Sequence, residues 1–103
     1  MPPRKIDRIA QQAVWAAQGF TCEVWIDPPS QVWKDFEHDV DEIVMLVEGQ
    51  SQIEMQGRTV RLQPGDELVI PAGVKHTVRN SGDGPARWLH GYRITKAAGA
   101  DTN

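Results

Sequence analysis

The chain has 103 residues, which predicts one domain. Its 40% hydrophobic and 24% charged residues are ordinary for a globular protein, and its net charge of −3 argues against a nucleic-acid partner, because phosphate contacts need a basic surface. The longest apolar run, residues 43–47, is too short to span a bilayer, so no membrane association is expected. With one cysteine, Cys22, and no targeting segment, we expect a cytoplasmic protein.

Residues 1–19 predict an N-terminal arm, either irregular or a short helix. Residues 6, 9, 10 and 13 are apolar at roughly helical spacing, whereas the rest of the arm is mostly polar. At the other end, residues 97–103 are small and polar and are expected to form a flexible tail.

Residues 20–96 show a period of two, which predicts strands rather than helices. Proline, glycine or aspartate separates successive runs, and Gln56-Gly57 predicts a two-residue hairpin turn. The predicted strands are residues 20–27, 31–38, 42–48, 51–55, 58–62, 67–70, 75–80 and 86–95. Eight short strands at near-regular spacing are typical of an all-β sandwich or barrel.

His38, Glu42 and His76 are the candidate metal ligands. In a straight strand, residues 38 and 42 would lie roughly 13 Å apart, so residues 39–41 must bend the chain if both side chains are to reach one ion. His76 would join them from a third strand. Two imidazoles and one carboxylate form a facial triad, which leaves positions open for substrate or dioxygen. The other interpretation is that these are surface or hydrogen-bonded residues that bind no metal.

Several aromatic residues are candidate pocket residues. Trp33, Phe36 and Trp88 line a substrate pocket or belong to the core. Trp88, His90 and Tyr92 share one strand face by period two. If that face points inward, His90 supplies a fourth ligand or an acid–base group beside the metal. The sequence does not determine which face of this strand points inward. We expect the opposite arrangement, in which Leu89 points inward and His90 points outward or into a dimer interface.

Two segments, residues 38–49 and 65–80, resemble the two motifs of the cupin superfamily. The first motif usually reads G-x5-H-x-H-x3,4-E-x6-G, and the second reads G-x5-P-x-G-x2-H-x3-N. The first motif is matched at His38, Glu42 and Gly49. The second is matched at every defined position, namely Gly65, Pro71, Gly73, His76 and Asn80. With the strand pattern, the resemblance extends over most of the chain.

The resemblance implies a cupin-type jelly-roll barrel, or double-stranded β-helix, with a metal site inside. It makes His38, Glu42 and His76 ligands of one divalent transition metal ion per chain (Fe, Mn, Ni or Zn), and Asn80 a structural residue that ends a strand. The chain departs from the first motif at two positions. Phe36 stands where the first histidine is expected, and Ser30 where the opening glycine is expected. The site is then weaker, more open, or without metal.

Three functions follow from this resemblance. Cupins include dioxygenases, isomerases, decarboxylases and epimerases, so the fold alone selects no reaction. The open triad favours a metal-dependent enzyme acting on a small molecule, with dioxygenase-like chemistry placed ahead of isomerase chemistry. No catalytic residue is assigned. The alternatives are a non-catalytic cupin that binds or senses a small molecule or metal, and a metal-free structural cupin.

A homodimer is also predicted. Residues 24–26 leave no polar face on the first strand, which suits burial on both sides. Terminal strands of small barrels have open edges that are usually paired or covered.

Overall fold

The computed structural model describes residues 6–94, which form one helix and eight strands. The helix is α1 (Arg8–Ala17). The strands are β1 (Glu23–Asp27), β2 (Val32–Phe36), β3 (Glu42–Glu48), β4 (Ser51–Met55), β5 (Arg58–Leu62), β6 (Glu67–Ile70), β7 (His76–Asn80) and β8 (Ala86–Tyr92). The predicted tail lies outside the described residues, as does the start of the predicted arm. The prediction of an all-β fold with eight strands is confirmed.

The strands form two four-stranded antiparallel sheets with the arrangement of a jelly roll. One sheet has the order β1-β8-β3-β6 and the other the order β2-β7-β4-β5. Both sheets contribute to one apolar core, which contains Val44, Leu46, Ile53, Met55, Leu62, Ile70, Ala86 and Trp88. The core fills one part of the space between the sheets and leaves a cavity in the other part.

Helix α1 packs on the outer face of the first sheet. Asp7 caps the helix by accepting hydrogen bonds from the backbone N–H groups of Ile9 and Ala10, at 2.9 and 3.2 Å. The helix is anchored by Trp15, which is fully buried, whereas Ile9 is exposed. Trp15 belongs to a second apolar cluster with Phe20, Cys22, Ile43, Met45 and Leu89. Both faces of this sheet are therefore partly buried.

Local signals set the turns. Gln56 and Gly57 have φ values of 52° and 74°, as the predicted two-residue hairpin turn requires. Ser30, which replaces the motif glycine, has a φ of 69° and so retains the left-handed conformation that the glycine would supply. Within residues 6–94, no helix is long and apolar enough to cross a membrane.

Candidate metal centre and cavity

A cavity of about 320 Å³ lies between the two sheets. One part of its wall carries the predicted metal ligands, and the remainder is largely aromatic and aliphatic. The lining residues that concern the site are Trp25, Asp27, Trp33, Phe36, His38, Glu42, His76, Trp88, His90 and Tyr92. All the residues predicted from sequence for the metal site and the pocket thus line one space.

His38, Glu42 and His76 come together around one carboxylate oxygen. Glu42 Oε1 lies 3.4 Å from His38 Nε2 and 3.5 Å from His76 Nε2. The three candidate ligand atoms all lie within 4.8 Å of one another. Glu42 and His76 are buried, whereas His38 is partly exposed, so the group opens on the side of His38.

The chain between β2 and β3 bends, as the spacing of His38 and Glu42 requires. Two hydrogen bonds hold this bend against the turn that precedes β7. Asp41 Oδ1 accepts the N–H of Ala72 at 2.8 Å, and the carbonyl of His38 accepts the N–H of Gly73 at 2.9 Å. The bend therefore presents His38 to His76, which lies just beyond that turn. Asp41 acts here as a turn residue and not as a member of the cluster.

The imidazole of His76 is oriented by the backbone. Its Nδ1 lies 3.1 Å from the carbonyl oxygen of Val74. A carbonyl can only accept, so Nδ1 donates and Nε2 faces Glu42 with its lone pair when the ring is neutral. The hydrogen bond with Glu42 raises the pKa of His76 above its ordinary value, against the opposing effect of burial. Such a backbone-anchored imidazole is characteristic of metal-binding histidines, and the donor set suits Fe, Mn, Ni or Zn.

His90 points into the cavity, so the expectation that it faces outward is wrong. Its Nδ1 lies 3.9 Å from Glu42 Oε2, and it falls outside the three-residue ligand group. Leu89 is buried on the opposite face of β8, against the Trp15 cluster. Because α1 covers that outer face, both Leu89 and His90 are shielded, and burial alone does not reveal which one faces the cavity.

Tyr92 packs against two histidines of the site. Its ring centroid lies 5.1 Å from that of His38 and 5.7 Å from that of His90. Burial, with a smaller contribution from the negative charge of Glu42, raises the pKa of Tyr92 above its ordinary value. The phenol therefore stays protonated near neutral pH and offers a hydroxyl beside the candidate ligands.

Phe36 and Trp33 share the cavity wall because of an irregularity in β2. Residues three apart in a regular strand face opposite sides, but the register shifts between these two residues. Asp35 has a φ of 56° at this point. The two rings consequently stack, with centroids 5.6 Å apart, and Phe36 lies opposite His76 in the β2–β7 register.

Sequence reasoning missed Trp25 and Asp27 as cavity residues. Asp27 is only 1% exposed, and its Oδ1 accepts the indole N–H of Trp25 at 2.6 Å and that of Trp33 at 2.7 Å. The available signal was the period-two spacing of residues 25 and 27. Val24 and Ile26 are apolar like Trp25, so β1 does not alternate between polar and apolar residues. The sequence therefore did not show which face of β1 points inward.

Known proteins resemble this chain in sequence. The sequence profile of the family described as "Cupin domain" matches residues 23–92. The chain is 28% identical over 79 residues to tetracenomycin polyketide synthase protein TcmJ of Streptomyces glaucescens, covering 77% of this chain and 53% of that protein. It is 31% identical over 76 residues to polyketide synthase CurC of Streptomyces cyaneus, covering 74% and 49% respectively. The chain therefore spans about half the length of these two relatives.

A solved structure gives the same fold. The crystal structure of TT1209 from Thermus thermophilus superposes with a TM-score of 0.66 and 26% sequence identity, covering 73% of this chain and 72% of that one.

Proposed function

Since the chain belongs to the cupin family, we propose that it binds one divalent transition metal ion through His38, Glu42 and His76 and acts as a metal-dependent enzyme on a small aromatic molecule. One observation carries this proposal: the three-residue group opens into a cavity walled by aromatic side chains. A few polar groups converging in an apolar pocket are the usual form of a small-molecule site.

The side chains around the ligand group have distinct roles in this proposal. A bound divalent metal would supply Lewis-acid polarisation and a template for an oxygen-bearing substrate. Glu42 contributes the negative charge that offsets the ion. His90, next to Glu42, is placed to hold or transfer a proton, and the protonated hydroxyl of Tyr92 is placed to donate a hydrogen bond. The aromatic walls offer apolar contacts to a ring-bearing substrate.

The size of the cavity supports a substrate of one or two rings. A cavity of about 150 Å³ accommodates benzene, and this one is about 320 Å³. Both polyketide synthase relatives bear names that point to the synthesis of a carbon-rich, oxygen-bearing product. We therefore place oxygenated aromatic compounds first among substrates. Dioxygenase-like chemistry comes ahead of isomerisation, because two histidines and one carboxylate leave several metal positions open.

The second candidate function is non-catalytic binding of a metal or small molecule. The positions of the titratable side chains in the cavity favour this second function. Apart from Asp27, the titratable cavity residues in the described part of the chain lie within the ligand group or beside it, as His90 and Tyr92 do. Among residues 6–94, Asp27 is thus the one titratable cavity residue away from the metal group, and its Oδ1 already accepts two indole N–H groups.

Metal loading tests the proposed enzyme. Protein purified without metal is loaded separately with Fe(II), Mn, Ni or Zn, and oxygen uptake and product formation are followed with catechols and naphthols. Activity that requires Fe(II) and is lost in Glu42→Gln supports the proposal. Glu67→Gln is the matched control, because Glu67 is an exposed carboxylate on β6. Stoichiometric metal without turnover of any compound would favour the binding function.

We also propose that two copies associate through the outer face of β1. Val24 and Ile26 share the outer face of this edge strand, with exposed fractions of 41% and 53%. Trp25 lines the cavity from the other face and is 44% exposed. Exposed apolar residues on an edge strand are usually covered. Light scattering should give twice the chain mass for the wild type and the single-chain mass for Ile26→Lys. A wild-type monomer at micromolar concentration would contradict the proposal.

A further inference from the structure

Asp27 is a buried carboxylate that faces the cavity with one oxygen free of protein donors. Its Oδ1 accepts two indole N–H groups, from Trp25 on β1 and Trp33 on β2. In the described part of the chain, no side chain or backbone group donates to Oδ2, and no cation lies within ion-pair distance of the carboxylate. Burial of a charge is costly unless it is well compensated. Two indoles thus hold one oxygen of this carboxylate, and the other oxygen is open to the cavity.

Trp25 connects this part of the cavity to the candidate metal centre. Its ring centroid lies 5.6 Å from that of Trp33 and 6.0 Å from that of His90. A flat ligand lying along this aromatic wall has one end at Asp27 and the other toward His90 and Glu42. A hydroxyl at the Asp27 end can donate to the free oxygen of the carboxylate.

We infer that Asp27 is a specificity-determining residue that accepts a hydrogen bond from the hydroxyl group of an aromatic ligand. Trp25 and Trp33 position this carboxylate through their indole N–H groups. This inference rests on the proposed use of the cavity as a small-molecule site and does not depend on which metal is bound. It selects phenols and naphthols over aromatic compounds of the same shape without a hydroxyl hydrogen.

Two probes of nearly equal shape test the inference. 2-Naphthol carries a hydroxyl donor, whereas 2-methoxynaphthalene keeps the oxygen but lacks the hydrogen. The affinity of the wild type for each probe is measured by calorimetric titration, with metal-free and with zinc-loaded protein. The affinity for 2-naphthol should be at least about tenfold higher than that for 2-methoxynaphthalene, as expected for a hydrogen bond to a charged group.

Asp27→Asn is the informative variant. The asparagine oxygen can still accept both indole N–H groups, while its amide replaces the free acceptor by a donor. Both probes can accept from that donor, so their affinities should come within about threefold of each other. The metal content of Asp27→Asn should equal that of the wild type, which separates this inference from the proposed metal centre.

Equal affinities of the wild type for the two probes would overturn the inference. Asp27 would then have only a structural role, as the hydrogen-bond acceptor that joins two tryptophans. A preference for 2-naphthol that persists in Asp27→Asn would assign recognition to another residue and would also overturn it. If Asp27→Asn does not fold, the wild-type ratio decides alone, and a ratio below about threefold refutes the inference.

Discussion

Acidification should release metal from the proposed centre, and the number of histidine ligands sets how steeply affinity falls. A metal binds imidazole only in its neutral form, so each histidine ligand must lose its proton before binding. When the His76 ring is protonated, its Nε2–H donates to Glu42, which raises the pKa of His76 and favours the protonated ring in the metal-free protein. Protons therefore begin to compete with metal at a pH above about 6.5, the ordinary value for histidine.

The size of the effect follows from two ligands. Each proton displaced on binding changes the affinity about tenfold per pH unit. With both His38 and His76 as ligands, affinity should fall by about a hundredfold per pH unit well below the histidine range. With His76→Ala, only the proton on His38 remains to be displaced, so the slope should approach about tenfold per pH unit.

Zinc titrations against a competing chelator, at constant ionic strength between about pH 8 and pH 5.5, measure this slope. Far-UV circular dichroism at each pH verifies that the barrel remains folded. The reasoning would be refuted by a wild-type slope of about tenfold or less per pH unit at the acid end of this range, or by a decline that begins only below the ordinary histidine range.

Three substitutions test other parts of the account. Asn80→Ala should lower the free energy of unfolding by about 3 kcal/mol, because three hydrogen bonds of about 1 kcal/mol each are lost. The Asn80 amide donates to the carbonyls of Pro28 and Gly84 and accepts the N–H of Gly82. Denaturant unfolding measures the loss, and a loss below about 1 kcal/mol would contradict this role. Ser30→Gly should raise the free energy of unfolding by up to about 1 kcal/mol, because glycine adopts the positive φ at this position without strain. Ser30→Ala should not raise it. A lower unfolding midpoint for the glycine variant would contradict the reasoning. Phe36→His restores the missing motif histidine opposite His76. It should tighten zinc binding by at least about tenfold at one ion per chain. An unaltered zinc affinity would argue against a metal site beside residue 36.

The parts of the fold that were predictable from sequence depend on local signals. Gln56-Gly57 adopts the positive φ values that its turn type requires, and Pro28 follows the last residue of β1. The spacing of His38 and Glu42 required a bend between them, and the structure contains one. The turn and the end of β1 follow from the steric limits of a few adjacent residues, whereas the bend was predicted from the need to bring two ligands to one ion and is held by hydrogen bonds to the turn before β7.

The remaining features depend on contacts between distant segments. The phase of β8 was mispredicted because α1 buries Leu89 on the outer face while His90 lines the cavity. Asp27 was missed because its two donors, Trp25 and Trp33, come from strands of different sheets. Period two groups residues 25 and 27 on one face, and residues 88, 90 and 92 on another, but it does not show which face of each strand lines the cavity.

Metal analysis of purified protein tests the central claim most directly. After loading and removal of free ions, the wild type should hold about one divalent transition metal ion per chain. His76→Ala should retain little metal while unfolding as cooperatively as the wild type, because the apolar core between the sheets does not include His76. Full metal occupancy in His76→Ala, or a wild type that takes up no metal, would contradict the account.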